Sequence, residues 1–253
     1  MNVKAFSFLQ WAAESHSYYD ELFSNLGLTK VGTNYNKDVI WNANDIYFFV
    51  TTLRHDFVTQ HGPGVSGIGL HFDDAKVAYQ ESIENGMVPA QMMGHTGEGI
   101  DGVVLYFTDS LVCDILNFSN APSVIDHITH NCHIGKDFNG EGVQHIALHT
   151  DDIYSTVKQL KTHGMKFLDI PDIYYDMIAD RIDHHEEDID ALRELGILID
   201  GSKEDGILLQ IFTKEAVGPV FFEIIQRKGN TGFGHGNFKA LFEAIERTQL
   251  NTV

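Results

Sequence analysis

At 253 residues, with 43% hydrophobic and 11% aromatic side chains, the chain can bury a substantial core and is not a disordered polymer. Seventeen Lys and Arg against 36 Asp and Glu leave a formal charge of −19 with no basic stripe, which excludes a phosphate-gripping nucleic-acid surface. No apolar run reaches the roughly 18 residues of a membrane span. MNVKAFSFLQWAAESHS lacks a secretory signal layout, and two cysteines, Cys113 and Cys132, fit buried apolar roles in a reducing cytoplasm.

Strand-like and helix-like patterns alternate along the chain. FSFLQWA reads as a strand, SYYDELFSNLG as a helix closed by Gly27, and KVGTNY, DVIWNAN and IYFFVTT as three further strands. RHDFVTQHGPG reads as a loop with a Gly-Pro-Gly stop. SGIGLHF then begins a second round, with the helix DDAKVAYQESIENG and the short strands AQMMG, GVVLYFT and VCDILNF. IDHITHN and GVQHIAL are strand candidates set close together, and GILIDG, GILLQIF and PVFFEIIQR are the last strands. FKALFEAIERTQL, with Phe238, Leu241, Phe242 and Ile245 at helical spacing, reads as a C-terminal amphipathic helix.

Residues 66–87 can be laid over residues 144–165 without gaps, so that Ile, Leu-His, Asp-Asp and Gly-Met coincide. The acidic pairs Asp73-Asp74 and Asp151-Asp152 fall at helix N-termini, where they cap free N–H groups. His71 and His149 coincide and so share a structural role, whereas His145 falls opposite Gly67. A metal site, if there is one, belongs to the C-terminal half. The expected domains are 1–120, metal-free, and 121–253, metal-binding.

Glu223 lies within the apolar strand FFEIIQ, where a buried carboxylate needs a cation or a metal. With His127 and His145 it would complete two imidazoles and one carboxylate on neighbouring strands, the facial set of non-haem Fe(II) oxygenases. Such a set leaves three coordination positions for a chelating substrate and O2. His130 is the alternative to His127, expected on the opposite strand face. DHHEED, at 183–188, reads as a solvated loop before a helix, Asp114 as structural, and GFGHGNF lacks a dinucleotide-loop register.

IDHITHN, GEGVQHIAL, LLQIF and FFEIIQRKGNTGFGHGNFKALFEAIERTQ together closely resemble the 4-hydroxyphenylpyruvate dioxygenase family, over nearly the whole chain. The resemblance implies an α+β fold of repeated βαβββ units, vicinal oxygen chelate or glyoxalase-like, normally four in number. The N-terminal half carries two units. The C-terminal half is internally shortened, keeping little more than the opening strand of the third unit before the fourth begins. It further implies Fe(II) held by His127, His145 and Glu223, with Gln144, Gln210, Phe212, Phe233, Asn237 and Phe238 around the substrate. The implied reaction turns an aromatic α-keto acid, 4-hydroxyphenylpyruvate, and O2 into homogentisate and CO2 in a cytoplasmic homo-oligomer. Hydroxymandelate synthase, with the same ligands, is one alternative. A shortened, non-catalytic metal-binding or interaction protein is the other.

Overall fold

The computed structural model describes residues 2–92, 94–109, 122–135, 140–182 and 184–250. FSFLQWA forms β1 (Ala5–Ala12), buried along most of its length, as its near-continuous apolar run requires. After α1 (Asp20–Asn25) come β2 (Thr29–Thr33), β3 (Val39–Ala43) and β4 (Ile46–Thr51). β4 returns parallel to β1, and β3 and β2 continue antiparallel, which is one complete βαβββ unit.

RHDFVTQHGPG is not a plain loop. Its first part forms α2 (His55–His61), because Phe57 is buried against Ala12 and Val103, and Gly62 ends the helix at φ 80°. The second unit has β5 (Gly64–His71), α3 (Ala75–Glu84), β6 (Thr96–Glu98) and β7 (Val104–Thr108). AQMMG is therefore not its strand; the chain pairs a few residues later, where Thr96 is buried and meets Tyr106. VCDILNF, with Cys113 and Asp114, lies outside the described residues, as do the side chains of Cys132, Phe242 and Ile245. β5 runs antiparallel to β1 and parallel to β7, giving a seven-stranded sheet in the order β2-β3-β4-β1-β5-β7-β6.

The C-terminal sheet begins with β8 (Val124–Gly135), joined as a hairpin to β9 (Gly140–His149) with Gly135 opposite Gly140. CHIG thus belongs to β8, and the hairpin stands where a helix and three strands would complete a unit. α4 (Ile153–Thr162), α5 (Asp172–Asp176), α6 (Ile178–Arg181) and α7 (Ile189–Leu195) precede β10 (Leu198–Ser202), β11 (Gly206–Phe212) and β12 (Phe221–Lys228). The order β10-β11-β12-β9-β8 repeats the first unit's topology, with β12 parallel to β9. Asp74 and Asp152 cap α3 and α4 as expected, accepting the N–H groups of Val77 and Ser155.

Even-numbered residues of β9 and β12 turn Ile146, Leu148, Phe222 and Ile224 towards the N-terminal sheet, in one apolar cluster with Leu9, Trp11 and Phe48. Trp11 and Phe48 stack on Phe222 at centroid distances of 6.0 and 6.3 Å. Phe222 is fully buried there, a contribution of about 1.5–3 kcal/mol. The opposite face of the C-terminal sheet, carrying the odd-numbered residues of β9 and β12, remains for chemistry. α8 (His235–Leu250) packs beside it against α5 and β10.

Candidate metal centre

Three neighbouring strands form two short rows on this face. In one, His145 of β9 stands between Phe221 of β12 and Thr129 of β8; in the next, Ala147 stands between Glu223 and His127. Side chains two apart on a strand share a face, so the small Ala147 leaves room for Glu223 and His127 to lean towards His145. One ligand atom from each of His127, His145 and Glu223 lies within 4.8 Å of the other two. The imidazole Nε2 atoms are 3.2 Å apart, and Glu223 Oε2 is 3.4 Å from His127 Nε2 and 3.5 Å from His145 Nε2.

Glu223 is 2% exposed, and its Oε1 has no hydrogen-bond partner among the described residues. A buried carboxylate oxygen without a donor is costly, and a cation at this point would satisfy it. The donor set therefore fits a divalent metal with open coordination positions.

The supporting shell explains the ring orientation. A register shift between Ile125 and His127 leaves Asp126 outside the regular pairing. His127 Nδ1 donates to Asp126 Oδ1 at 2.8 Å, which frees Nε2 for the centre. Arg227 grips the same carboxylate at 2.9 Å through Nε and 2.8 Å through Nη2. Burial opposes the Asp126 charge, but the bonds from Arg227 and His127 reverse this and hold its carboxyl well below the usual range.

Burial also opposes the His127 charge, yet its bonds to Asp126 and Glu223 raise it to about 9. His145 is pushed down to about 4 by burial and by the neighbouring His127 charge. Burial raises Glu223, partly offset by His127. His127 thus holds a proton that an incoming cation must displace, while His145 is already neutral.

A cavity of about 750 Å³ opens over these groups, bordered also by Gln144, Thr129, His130, Phe221, Phe233, His235 and Phe238. His145 stacks on Phe221 at 5.2 Å, and His127 meets Phe233 edge-on at 5.1 Å. His130 does not turn away from the site as strict alternation requires, because the register shifts between Thr129 and His130. It is not part of the three-residue cluster. Gln210, Phe212 and Asn237 do not border the cavity. They form a buried layer behind it, with Phe212 5.8 Å from Phe238 and Asn237 donating to Gln210 at 3.1 Å. Sequence reasoning missed Asp126, Thr129, Phe221 and Arg227; the one available signal was an acid directly beside a candidate ligand.

The corresponding place in the N-terminal half is filled. A Cβ on Gly67 would come 2.7 Å from the Tyr106 ring and 3.2 Å from Gln10 Oε1, so no side chain fits where His145 has its counterpart.

Residues 1–127 match the family model for the N-terminal part of hydroxyphenylpyruvate dioxygenase. The 4-hydroxyphenylpyruvate dioxygenase of Legionella pneumophila (strain Corby) is 35% identical over 331 aligned positions, covering 98% of this chain and 95% of that protein. The chain belongs to the 4-hydroxyphenylpyruvate dioxygenase family. The Pseudomonas aeruginosa member is 34% identical over 340 positions, covering 99% of this chain and 95% of that one. Both alignments are far longer than the 253 residues available, so each relative has many residues with no counterpart here. Among solved structures, a xylose isomerase-like TIM barrel/4-hydroxyphenylpyruvate dioxygenase fusion protein superposes with a TM-score of 0.83 at 20% identity, over 97% of this chain and 53% of that one. A 4-hydroxymandelate synthase mutant from Streptomyces coelicolor gives 0.75 at 21% identity, over 98% and 100%. These two likenesses establish the vicinal oxygen chelate fold. No helix among the described residues is long and apolar enough to cross a membrane.

Proposed function

We propose that this chain is an Fe(II)-dependent 4-hydroxyphenylpyruvate dioxygenase, holding iron through His127, His145 and Glu223. The observation that carries the reading is the convergence of these three ligand atoms within 4.8 Å around a buried carboxylate oxygen without a donor. Full-length identity of 32–35% to proteins named for this activity supports it. The overall change is 4-hydroxyphenylpyruvate and O2 to homogentisate and CO2. Iron supplies the site for keto-acid chelation and for coupling O2 reduction to decarboxylation.

The protein's own groups orient and shield. Asp126, itself clamped by Arg227, fixes the His127 tautomer so that Nε2 points inward. Phe221, Phe233 and Phe238 give an apolar wall suited to an aromatic ring, and Gln144 gives a polar group beside it. Thr129 Oγ1, 3.1 Å from His145 Nε2, steadies that ring until a metal takes the nitrogen.

Anaerobic Fe(II) reconstitution followed by addition of substrate and air tests the proposal. One iron per chain and chromatographically identified homogentisate are expected. 4-Hydroxymandelate in its place would reassign the chain to the synthase reaction, and bound iron without either product would make it a non-catalytic metal binder.

A further inference from the structure

Behind the cavity wall, Gln210 and Asn237 join a chain of buried polar groups that includes Tyr174 and Arg181, neither of which the sequence singled out. Tyr174 of α5 and Asn237 of α8 are 0% and 1% exposed, and Gln210 of β11 is 0% exposed. The Tyr174 hydroxyl lies 2.9 Å from the Ile199 N–H and 3.1 Å from Arg181 Nη2, both donors to it. Those two bonds occupy the acceptor capacity of the phenol oxygen. Its single proton is left to donate, and the shortest contact is Asn237 Oδ1 at 2.6 Å. Burial pushes the Tyr174 phenol up to about 12, so that proton is retained across the physiological range.

Because Asn237 accepts through Oδ1, its amide nitrogen faces the other way and donates to Gln210 Oε1 at 3.1 Å. Gln210 is thereby turned so that its own NH2 has no partner among the described residues. Gln210 sits two residues before Phe212, which pairs with Glu223, so it shares the metal-bearing face. Arg181 also reaches the Gly236 carbonyl at 3.3 Å, and Asp200 accepts the Gly236 N–H at 2.8 Å, so the start of α8 is held from two sides.

We infer that Tyr174 and Arg181 are positioning residues: they fix the direction of the Asn237 and Gln210 amides so that Gln210 offers a hydrogen-bond donor, not an acceptor, on the metal-bearing face. Gln210 lies behind the cavity wall, so the relay acts on a bound keto acid through α8, whose Asn237 holds Gln210 and whose Phe238 borders the cavity. In this last respect the inference rests on the proposed function; the amide direction does not.

Side-chain amide exchange, followed by NMR on protein labelled with 15N in Asn and Gln, tests the relay without any substrate. Tyr174→Phe keeps the ring and removes the donor. The Asn237 NH2 is expected to exchange about tenfold faster, as loss of one buried hydrogen bond implies. Arg181→Gln, which keeps the phenol, should shift the same signals less. Unchanged exchange at Asn237 and Gln210 in a folded Tyr174→Phe protein would overturn the relay.

The kinetic arm uses iron-loaded enzyme. Tyr174→Phe and Asn237→Asp should each raise KM for 4-hydroxyphenylpyruvate about tenfold with iron affinity unchanged, and the double variant should be no worse than either. Additive losses, or a loss of iron, would assign these residues a general packing role. If the wild-type protein yields no product, the dioxygenase reading fails while the exchange measurement still decides the relay.

Discussion

Arg227 and Asp126 are joined by two parallel hydrogen bonds of 2.8 and 2.9 Å, linking β12 to the start of β8 across the intervening β9. This fork orients His127 in the candidate metal centre, because the same carboxylate holds His127 Nδ1. Asp126→Asn keeps the shape but removes the charge. Metal affinity, measured against a competing chelator, should fall about 10–100-fold, in the range found when a carboxylate behind a ligand histidine is lost. Affinity equal to the wild type would show that the fork serves only to join the strands.

Glu223 links metal binding to stability. With a divalent ion at 100 times its dissociation constant, the wild-type protein should gain about 2.7 kcal/mol in unfolding free energy. Glu223→Gln should gain far less under the same conditions, because the single negative ligand of the cluster is gone. Calorimetric melting with and without Co(II) or Fe(II) makes the comparison, and an equal rise in Tm would remove Glu223 from the ligand set.

Asp152 tests the helix that follows the ligand strand. Hydrogen bonds from the Ser155 side chain and backbone lower its carboxyl, so the folded value lies below the unfolded one. Its stabilising contribution is then fully present above the unfolded value of 3.8 and is lost as pH falls through the folded value. Asp152→Ala should cost about 1 kcal/mol at neutral pH. Urea titrations should show the difference narrowing in acid; a gap that widens below pH 4 would contradict the sign.

Gly67 marks the filled counterpart of the site. Gly67→Ala places a methyl 2.7 Å from the Tyr106 ring and should destabilise by about 1–3 kcal/mol, the usual range for overpacking a tight core. A neutral effect in denaturant unfolding would mean that the Tyr106 ring gives way freely.

The repeat, the capping acids, most strand positions and the three converging residues were legible in the sequence, each for a local reason. Alternation in FFEIIQR marks Glu223 as facing away from Phe222, and the overlay of residues 66–87 on 144–165 sets His145 apart from Gly67. The errors also had local causes. HDFVTQH carries few apolar residues, so its helical nature depends on one buried ring, Phe57, finding Ala12 and Val103. AQMMG has strand-like composition, but its Ala90 N–H only meets the Thr96 carbonyl, and it is Thr96–Glu98 that pairs with β7.

By itself the sequence determined which residue types recur, at what period, and hence the βαβββ units and the ligand candidates, because side-chain alternation is a property of each strand alone. Only the tertiary structure decided which rows stand side by side: His145 beside Thr129 and Phe221, with Ala147 between His127 and Glu223. It also decided that Asp126 leaves the regular pairing to meet Arg227, and that Gln210 and Asn237 lie behind the cavity wall. Register between strands, bulges and the docking of α8 come from packing between segments far apart in the chain, where one residue's shift moves a side chain to the other face.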